Sequence, residues 1–253
     1  RGAKEVAYIE NGKQKTNVPI AALGGSVATP AAGIKAEVIE VKNFEELKAL
    51  GTEKVKGKIV LFNRPMDATQ VNTFSAYGGA VNQRGGGASE AAKYGAVAVI
   101  VRSVTAANDD NAHTGALRYN DSFPKIPAVA ISTKDADNLS ENLSGNYKED
   151  NFFIRTNCVL LPDTIGHNVI GEIKGSEFPN EIITIGGHLD SWDPAEGASD
   201  DGTGMVQSIE ILRVFKAIGY KPKRTIRIVL FANEENGTRG GLKYAEEAKA
   251  KKE

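Results

Sequence analysis

The sequence has a single cysteine, Cys158, one tryptophan and three histidines among its 253 residues. One cysteine excludes an internal disulfide, and its place in an apolar run favours a buried, unreactive thiol. Positive and negative side chains nearly balance, with a formal net charge of -1, so the chain offers no basic face for nucleic acid. The apolar runs are only a few residues long, which excludes a membrane-spanning helix.

The remaining composition is that of a globular protein, with 41% hydrophobic and 25% charged residues, and the length allows one large domain or two modest ones. Apolar periodicity and turn residues alternate along the chain as in an α/β protein. We predict strands at 5–9, 17–23, 36–41, 58–62, 96–101, 128–131, 153–161, 167–173, 182–185 and 225–232, a turn at 11–13, and helices at 43–50, 88–94, 133–143, 203–218 and 242–251. Segment 64–87 is polar and rich in glycine, and its last four residues, 84–87, are predicted to be a flexible approach to the helix at 88–94.

Three features outside the main pattern receive structural interpretations. Arg84-Gly85-Gly86-Gly87 precedes a helix, as a phosphate-binding loop does, but it lacks both the G-x-G-x-x-G spacing and the lysine of a nucleotide loop. His113 is a lone imidazole in a polar loop, and His167 begins a strand. For His113 we favour a structural or solvent role, and we interpret His167 as structural.

The organising stretch is I-I-T-I-G-G-H-L-D-S-W-D-P-A-E-G-A-S-D-D-G-T-G, residues 182–204. An apolar strand delivers His188 and Asp190 at its end, and a loop then brings in Asp200 and Asp201 before an amphipathic helix. A second buried strand, 225–232, ends in Asn233, Glu234 and Glu235. Since ligands bind outside the carboxyl ends of strands in open α/β sheets, we expect these groups at one edge.

Several carboxylates and an imidazole at one edge repel one another unless a cation lies among them. Neutral histidine and carboxylate oxygens suit zinc, and an aspartate with two oxygens can bridge two ions about 3.5 to 4 Å apart. An adjacent carboxylate then remains free to act as a base. Taken singly, H-x-D is typical of surface groups, Asp-Asp-Gly-Thr of a helix cap, and Glu-Glu-Asn-Gly of a polar loop. Their occurrence together on consecutive strand ends favours a metal site.

The motifs G-G-H-L-D-S-W-D, G-A-S-D-D-G-T-G, P-K-R-T-I-R-I-V-L-F and E-E-N-G resemble, in order and spacing, the co-catalytic zinc peptidases of the aminopeptidase and glutamate carboxypeptidase group. G-K-I-V-L-F, Y-G-A, H-T-G and P-K-I-P-A resemble the protease-associated domain inserted in some members. The resemblance implies an α/β fold: a three-layer catalytic domain with a mixed central sheet, incomplete here, and an inserted α/β protease-associated domain. The implied limits are 1–32 for the N-terminal strands of the catalytic domain, 33–157 for the inserted domain and 158–253 for the first part of the catalytic domain.

Carried over residue by residue, the resemblance makes His188 a ligand of one zinc, Glu235 a ligand of a second and Asp200 the bridge between them. Glu234 is implied to be the general base, and Asp190 to hydrogen-bond the imidazole of His188. Members of the family also hold the bridging aspartate in a non-proline cis peptide, so we predict one between Asp200 and Asp201.

The same resemblance implies short peptides or dipeptides as substrates, a homodimer, and a secreted or periplasmic location. The family completes its site with another aspartate and another histidine, for which this sequence has no match. We therefore expect the 253-residue chain, as a piece of a longer catalytic domain, to bind zinc weakly or not at all and to be inactive alone. The rival hypotheses are a non-enzymatic, receptor-type relative and a di-metal hydrolase of non-peptide amides.

Overall fold

The computed structural model describes residues 5–11, 14–145 and 151–252. The chain divides into an N-terminal unit, Arg1–Leu161, and a C-terminal unit, Pro162–Glu253, each with a sheet of its own. The predicted α/β class is confirmed in both units. Two residues of the predicted turn, 12 and 13, lie outside the described part of the chain.

The N-terminal unit contains an eight-stranded sheet and four helices. Its elements are β1 (Val6–Asn11), β2 (Gln14–Asn17), β3 (Ile20–Ala22), β4 (Ile34–Val41), α1 (Phe44–Val55), β5 (Ile59–Phe62), α2 (Thr73–Ala80), α3 (Asn82–Ala92), β6 (Ala98–Arg102), β7 (Ala128–Ile131), α4 (Thr133–Ser144) and β8 (Asn151–Arg155). The order across the sheet is β2-β1-β8-β4-β5-β6-β7-β3. Strands β4 to β7 run parallel to one another, and the other pairs, including β8 with β4 and β3 with β7, are antiparallel.

The parallel part of this sheet has a core on each face. Every residue of β5 and β7 is buried, because helices cover both faces of parallel strands. Along β5, Val60 and Phe62 pack with α1 and α3, whereas Ile59 and Leu61 pack with α4. The alternation follows from the two-residue period of a strand.

The glycine-rich segment before residue 88 is helical, so the prediction of a flexible approach is wrong. Gly87 lies inside α3, where an added Cβ would be 2.9 Å from the ring of Phe62. Glycine therefore allows α3 to pack closely on β5. The sequence pattern could not distinguish a glycine needed for close packing from one that loosens a loop.

Replacing Phe62 with Ala is expected to lower the free energy of unfolding of the N-terminal unit by about 3 to 5 kcal/mol, because Phe62 is fully buried between β5 and α3. Urea denaturation followed by circular dichroism measures the change. Phe74→Ala is the matched control, since Phe74 is 85% exposed, and its effect should stay within about 0.5 kcal/mol. If both substitutions lowered the free energy of unfolding equally, the result would contradict the packing of Phe62 against α3.

The C-terminal unit contains a mixed three-stranded sheet between two helices. Its elements are β9 (Val169–Ile173), β10 (Phe178–His188), a π-helical turn (Ala198–Gly202), α5 (Thr203–Ala217), β11 (Arg224–Phe231) and α6 (Arg239–Lys251). Central β11 is parallel to β10 and antiparallel to β9. On β10, Thr184 meets Tyr244 of α6 whereas Gly187 faces α5, and residues of opposite parity point to opposite faces. The helices therefore form the outer layers of a three-layer unit.

Two sequence predictions concern residues near the ends of the N-terminal unit. The predicted strand at 153–161 ends at Arg155, and among the described residues its pairing with β1 extends to Arg155 and its pairing with β4 to Ile154. Strands β1 to β3, which the sequence assigned to the catalytic domain, pair within the eight-stranded sheet. The domain limits 1–32, 33–157 and 158–253 stay a prediction. Among the described residues, no helix combines the length and apolar content needed to cross a membrane.

Candidate active site

The parallel pairing of β10 with β11 brings the two predicted site segments to one edge. In the register of this pair His188 lies opposite Phe231, so the chain leaves both strands at the same level. The main-chain N–H of Leu189 donates to the carbonyl of Phe231 at 2.7 Å, which closes the pair at its carboxyl end. The loops carrying the acidic residues therefore start side by side.

His188, Asp200 and Glu235 converge at this edge. Each offers one ligand atom, and the three atoms lie within 4.8 Å of one another. His188 Nε2 is 2.9 Å from Asp200 Oδ1. Within residues 5–11, 14–145 and 151–252, no other cluster of three or more His, Cys, Asp or Glu side chains is close enough to share an ion.

The imidazole of His188 is oriented by the main chain of Asp190. Nδ1 lies 2.8 Å from the carbonyl oxygen of Asp190, which can only accept, so Nδ1 carries a proton. In the neutral ring, Nε2 then presents a lone pair towards Asp200. Two acceptor atoms that face each other need a proton or a cation between them. The pair of Nε2 and the Asp200 carboxylate is therefore suited to bind a metal ion.

The predicted hydrogen bond between Asp190 and the imidazole of His188 is present, and the main-chain carbonyl of Asp190 makes it rather than the carboxylate. That carboxylate lies 3.9 Å from Nδ1, beyond hydrogen-bond distance. Its oxygens instead accept the main-chain N–H groups of Glu234, at 2.9 Å, and Glu235, at 3.1 Å. Asp190 thus connects the end of β10 to the loop after β11, through its carbonyl on the ring and its carboxylate on two successive amides.

The peptide bond between Asp200 and Asp201 is cis, as predicted. Both residues lie in the π-helical turn, and the side chain of Asp200 is 78% exposed. The carboxylate of Asp201 turns away from the three converging groups and bonds main-chain N–H groups. Neighbouring aspartates therefore serve different purposes in the site.

The electrostatics of the cluster favour a bound cation. Burial alone lowers the pKa of the His188 imidazole, but its hydrogen bonds to the Asp190 carbonyl and the Asp200 carboxylate, with the charges of Asp200 and Glu234, leave that pKa raised. Burial raises the pKa of the Glu235 carboxyl, and the negative charge of Asp200 adds to the effect. Each group thus favours the state with more positive charge, which a metal ion can also supply.

Glu234 lies beside this group without belonging to it. Its main-chain N–H is held by Asp190, and its charge contributes to the raised pKa of His188. The preceding residue, Asn233, has a left-handed backbone with φ of 57°, and asparagine tolerates this conformation better than most residues. The chain reverses there, directly after β11, and brings both glutamates to the strand end.

Two family models match the chain. Residues 12–139 match the PA domain, the protease-associated domain, and residues 168–253 match Peptidase family M28. The chain belongs to peptidase family M28. Its fold class, an M28 peptidase fold with a PA domain, agrees with the prediction.

Similar proteins cover both parts of this M28 chain. Carboxypeptidase Q of Xenopus laevis is 42% identical over 246 residues, covering 97% of the chain, and that of Homo sapiens is 39% identical over 244 residues, covering 96%. The crystal structure of a peptidase M28 precursor from Shewanella amazonensis superposes with a TM-score of 0.89 at 36% identity, covering 98% of this chain and 55% of that chain. A zinc aminopeptidase from Bacillus subtilis, with a TM-score of 0.62 and 22% identity over 96% of this chain and 54% of its own, shares the fold.

The M28 chain spans about half the length of these curated relatives, 50% of the Xenopus protein and 49% of the human one. The activity, substrates and partners of a whole peptidase therefore come to this chain as proposals. What the structure itself provides is one convergent group of three donors with an acid beside it.

Sequence reasoning assigned no role to three other residues around the M28 site. Asp201 contacts two main-chain amides, and the Trp192 side chain partly offsets the effects that raise the pKa of Glu235. Asn168 accepts from the N–H of Ala232 at 3.0 Å and donates to the carbonyl of Gly240 at 2.9 Å, which holds the chain on both sides of the glutamate loop. Only Asp201 had a signal in the sequence, since glycines occur where its carboxylate needs room.

The remaining histidines lie outside this group, in agreement with their structural interpretation. His113 belongs to the N-terminal unit, where its main-chain N–H donates to Ser103 Oγ at 2.8 Å and its ring is 3.7 Å from Asp109. His167 is exposed just before β9.

Proposed function

We propose that this chain carries the metal-binding half-site and the general base of a zinc-dependent exopeptidase acting on short peptides or dipeptides. The observation that carries the proposal is the convergence of His188, Asp200 and Glu235, with ligand atoms within 4.8 Å of one another, at the carboxyl edge of β10 and β11. Membership of family M28 and the similarity to carboxypeptidase Q support a peptidase.

The donor set fits zinc. One imidazole nitrogen and carboxylate oxygens are the ligands that catalytic zinc sites use, and no thiolate belongs to the group. His188 and Glu235 would each hold one of two ions and Asp200 would hold both. Zinc bound in this way supplies Lewis acidity, which polarises a carbonyl and makes water more acidic.

Glu234 would be the proton carrier of this site. Its carboxylate is free of the three-donor group, so it would accept a proton from the attacking water and later deliver it to the amine that leaves. The two N–H bonds to Asp190 hold the backbone of Glu234 and Glu235 together at the strand end. Asp190 therefore positions the acid and the ligand relative to each other.

We propose that the 253-residue chain binds zinc only weakly and is inactive alone. Two zinc ions need more protein ligands than the three that converge in the described residues, since catalytic zinc is usually held by three protein ligands per ion. A homodimer and a secreted or periplasmic location are further proposals, which sedimentation and fractionation of the native protein would test.

The proposed activity is tested on a longer form of the protein, one that spans the full length of its relatives. Loaded with zinc, it should hydrolyse unprotected dipeptides, and removal of zinc with 1,10-phenanthroline should stop the reaction until zinc is restored. Faster cleavage of N-acylated amino acids than of dipeptides would favour a hydrolase of non-peptide amides. Zinc binding without hydrolysis of either substrate would indicate a receptor-type relative and contradict the proposal.

A further inference from the structure

Asp201 connects the end of β10 to the start of α5 through a single carboxylate. Its Oδ2 accepts the main-chain N–H of His188 at 3.0 Å, and its Oδ1 accepts the main-chain N–H of Gly204 at 3.1 Å. Hydrogen bonds to an ionised acceptor are about twice as strong as those between neutral groups. Asp201, the residue after Asp200, therefore holds the backbone of His188.

The sequence leaves room for this carboxylate at two glycines. A Cβ added to Gly187 would overlap Asp201 Oδ2 and lie 2.8 Å from the main-chain nitrogen of Met205, and a Cβ added to Gly204 would overlap both carboxylate oxygens. Neither glycine has the positive φ that would itself call for glycine. The close approach of the Asp201 side chain therefore explains the second glycine of G-G-H, Gly187, and the last glycine of D-D-G-T-G, Gly204.

Asp201 does not belong to the three-donor group of His188, Asp200 and Glu235. Both of its oxygens are used on main-chain amides, one of the ligand residue His188 and one of Gly204 in the first turn of α5. Displacing the carboxylate would release the backbone of His188 and the first turn of α5 together. Its effect on a metal would thus pass through His188 and Asp200.

We propose that Asp201 is a positioning residue that sets the separation of His188 and Asp200 for zinc, an inference that rests on the proposed function. Asp190 does the equivalent for the glutamate loop, so each of the two loops has an aspartate that bonds main-chain amides. Partners outside the ligand shell typically contribute 10- to 100-fold to metal affinity.

The test compares the wild-type chain with Asp201→Asn and Asp201→Ala. Asparagine keeps the size of the side chain but replaces one acceptor with a donor, so it can retain one of the two bonds, whereas alanine retains neither. Without zinc, NMR amide exchange at His188 and Gly204 should become at least about 10-fold faster for one amide in Asp201→Asn and for both in Asp201→Ala. Zinc affinity, from NMR shift titration, should fall about 10- to 100-fold.

Asp193→Asn is the matched control, because Asp193 is an exposed aspartate in the same loop, and it should change neither quantity. If Asp201→Ala fails to fold, Gly187→Ala displaces the carboxylate without changing its charge and should accelerate exchange at His188 and weaken zinc binding in the same way. If Asp201→Asn and Gly187→Ala bound zinc with wild-type affinity, the inference would be overturned and the proposed function would stand. A wild-type chain whose His188 signals do not respond to zinc would overturn the proposed function and the inference with it.

Discussion

Replacing Glu234 with Gln is expected to lower kcat for dipeptide hydrolysis by about 100- to 10,000-fold in the zinc-loaded protein of full relative length, the usual contribution of general acid–base catalysis. Glutamine has nearly the same shape but cannot take a proton from water. The zinc content should stay unchanged, because Glu234 lies outside the three-donor group. Steady-state kinetics and zinc analysis on the same sample measure both quantities.

Glu196→Gln provides the matched control, since Glu196 is an exposed acid of the same unit, and its kcat should equal that of the wild type. A wild-type rate in Glu234→Gln would assign the base to another group. Loss of zinc together with the loss of rate would instead identify Glu234 as a ligand.

Replacing Asp200 with Ala is expected to weaken zinc binding by at least about 100-fold. Asp200 is the residue proposed to hold both ions, its Oδ1 lies 2.9 Å from His188 Nε2, and its removal leaves one imidazole and one carboxylate. Because even outer partners of metal ligands contribute 10- to 100-fold, loss of a shared ligand should cost no less. Zinc titration of the 253-residue chain, followed by the NMR shifts of His188 and Glu235, measures the change.

Asp193→Ala is the comparison, because it removes an exposed carboxylate from the same loop. The two variants lose the same charge, so a general effect of charge on zinc attraction would weaken both equally. Equal weakening would contradict a specific role of Asp200. Folding is checked by the amide spectrum of β10 and β11.

The convergence of the site was predictable because it depends on two strong sequence signals. Each strand of the pair contains a short apolar run, polar residues follow the end of each, and the carboxyl ends of neighbouring parallel strands lie at one edge. Once β10 and β11 pair with His188 opposite Phe231, the loops after them lie together. The cis peptide between Asp200 and Asp201 was predicted only through the family resemblance, since nothing in the residue types requires it.

The hydrogen-bond partners of the two aspartates were not predictable from the pattern. The carbonyl of Asp190 bonds the ring of His188, whereas its carboxylate bonds the amides of Glu234 and Glu235, and the position of those amides depends on how the loop after β11 turns at the left-handed backbone of Asn233. A sequence records which groups are available, whereas the loop conformation selects their partners. The hydrogen bonds of Asp201 could not be predicted from the sequence pattern for the same reason.

In the N-terminal unit, local patterns predicted the parallel strands but not their limits or neighbours. The run after Arg155 is apolar enough for a strand, yet in the described part of the chain β8 ends at Arg155, and Val159, Leu160 and Leu161 are exposed. Glycines before residue 88 indicated a loop, although the close contact of α3 with Phe62 accounts for Gly87. Long-range pairing and packing decided both cases, and single-residue preferences do not encode them.

The most direct test of the zinc site is anomalous diffraction at the zinc edge from crystals of the 253-residue chain soaked in zinc. The account predicts an anomalous peak about 2.0 to 2.2 Å from His188 Nε2 and from a carboxylate oxygen of Asp200, beside Glu235. A peak elsewhere, or none at these three side chains at saturating zinc, would contradict it.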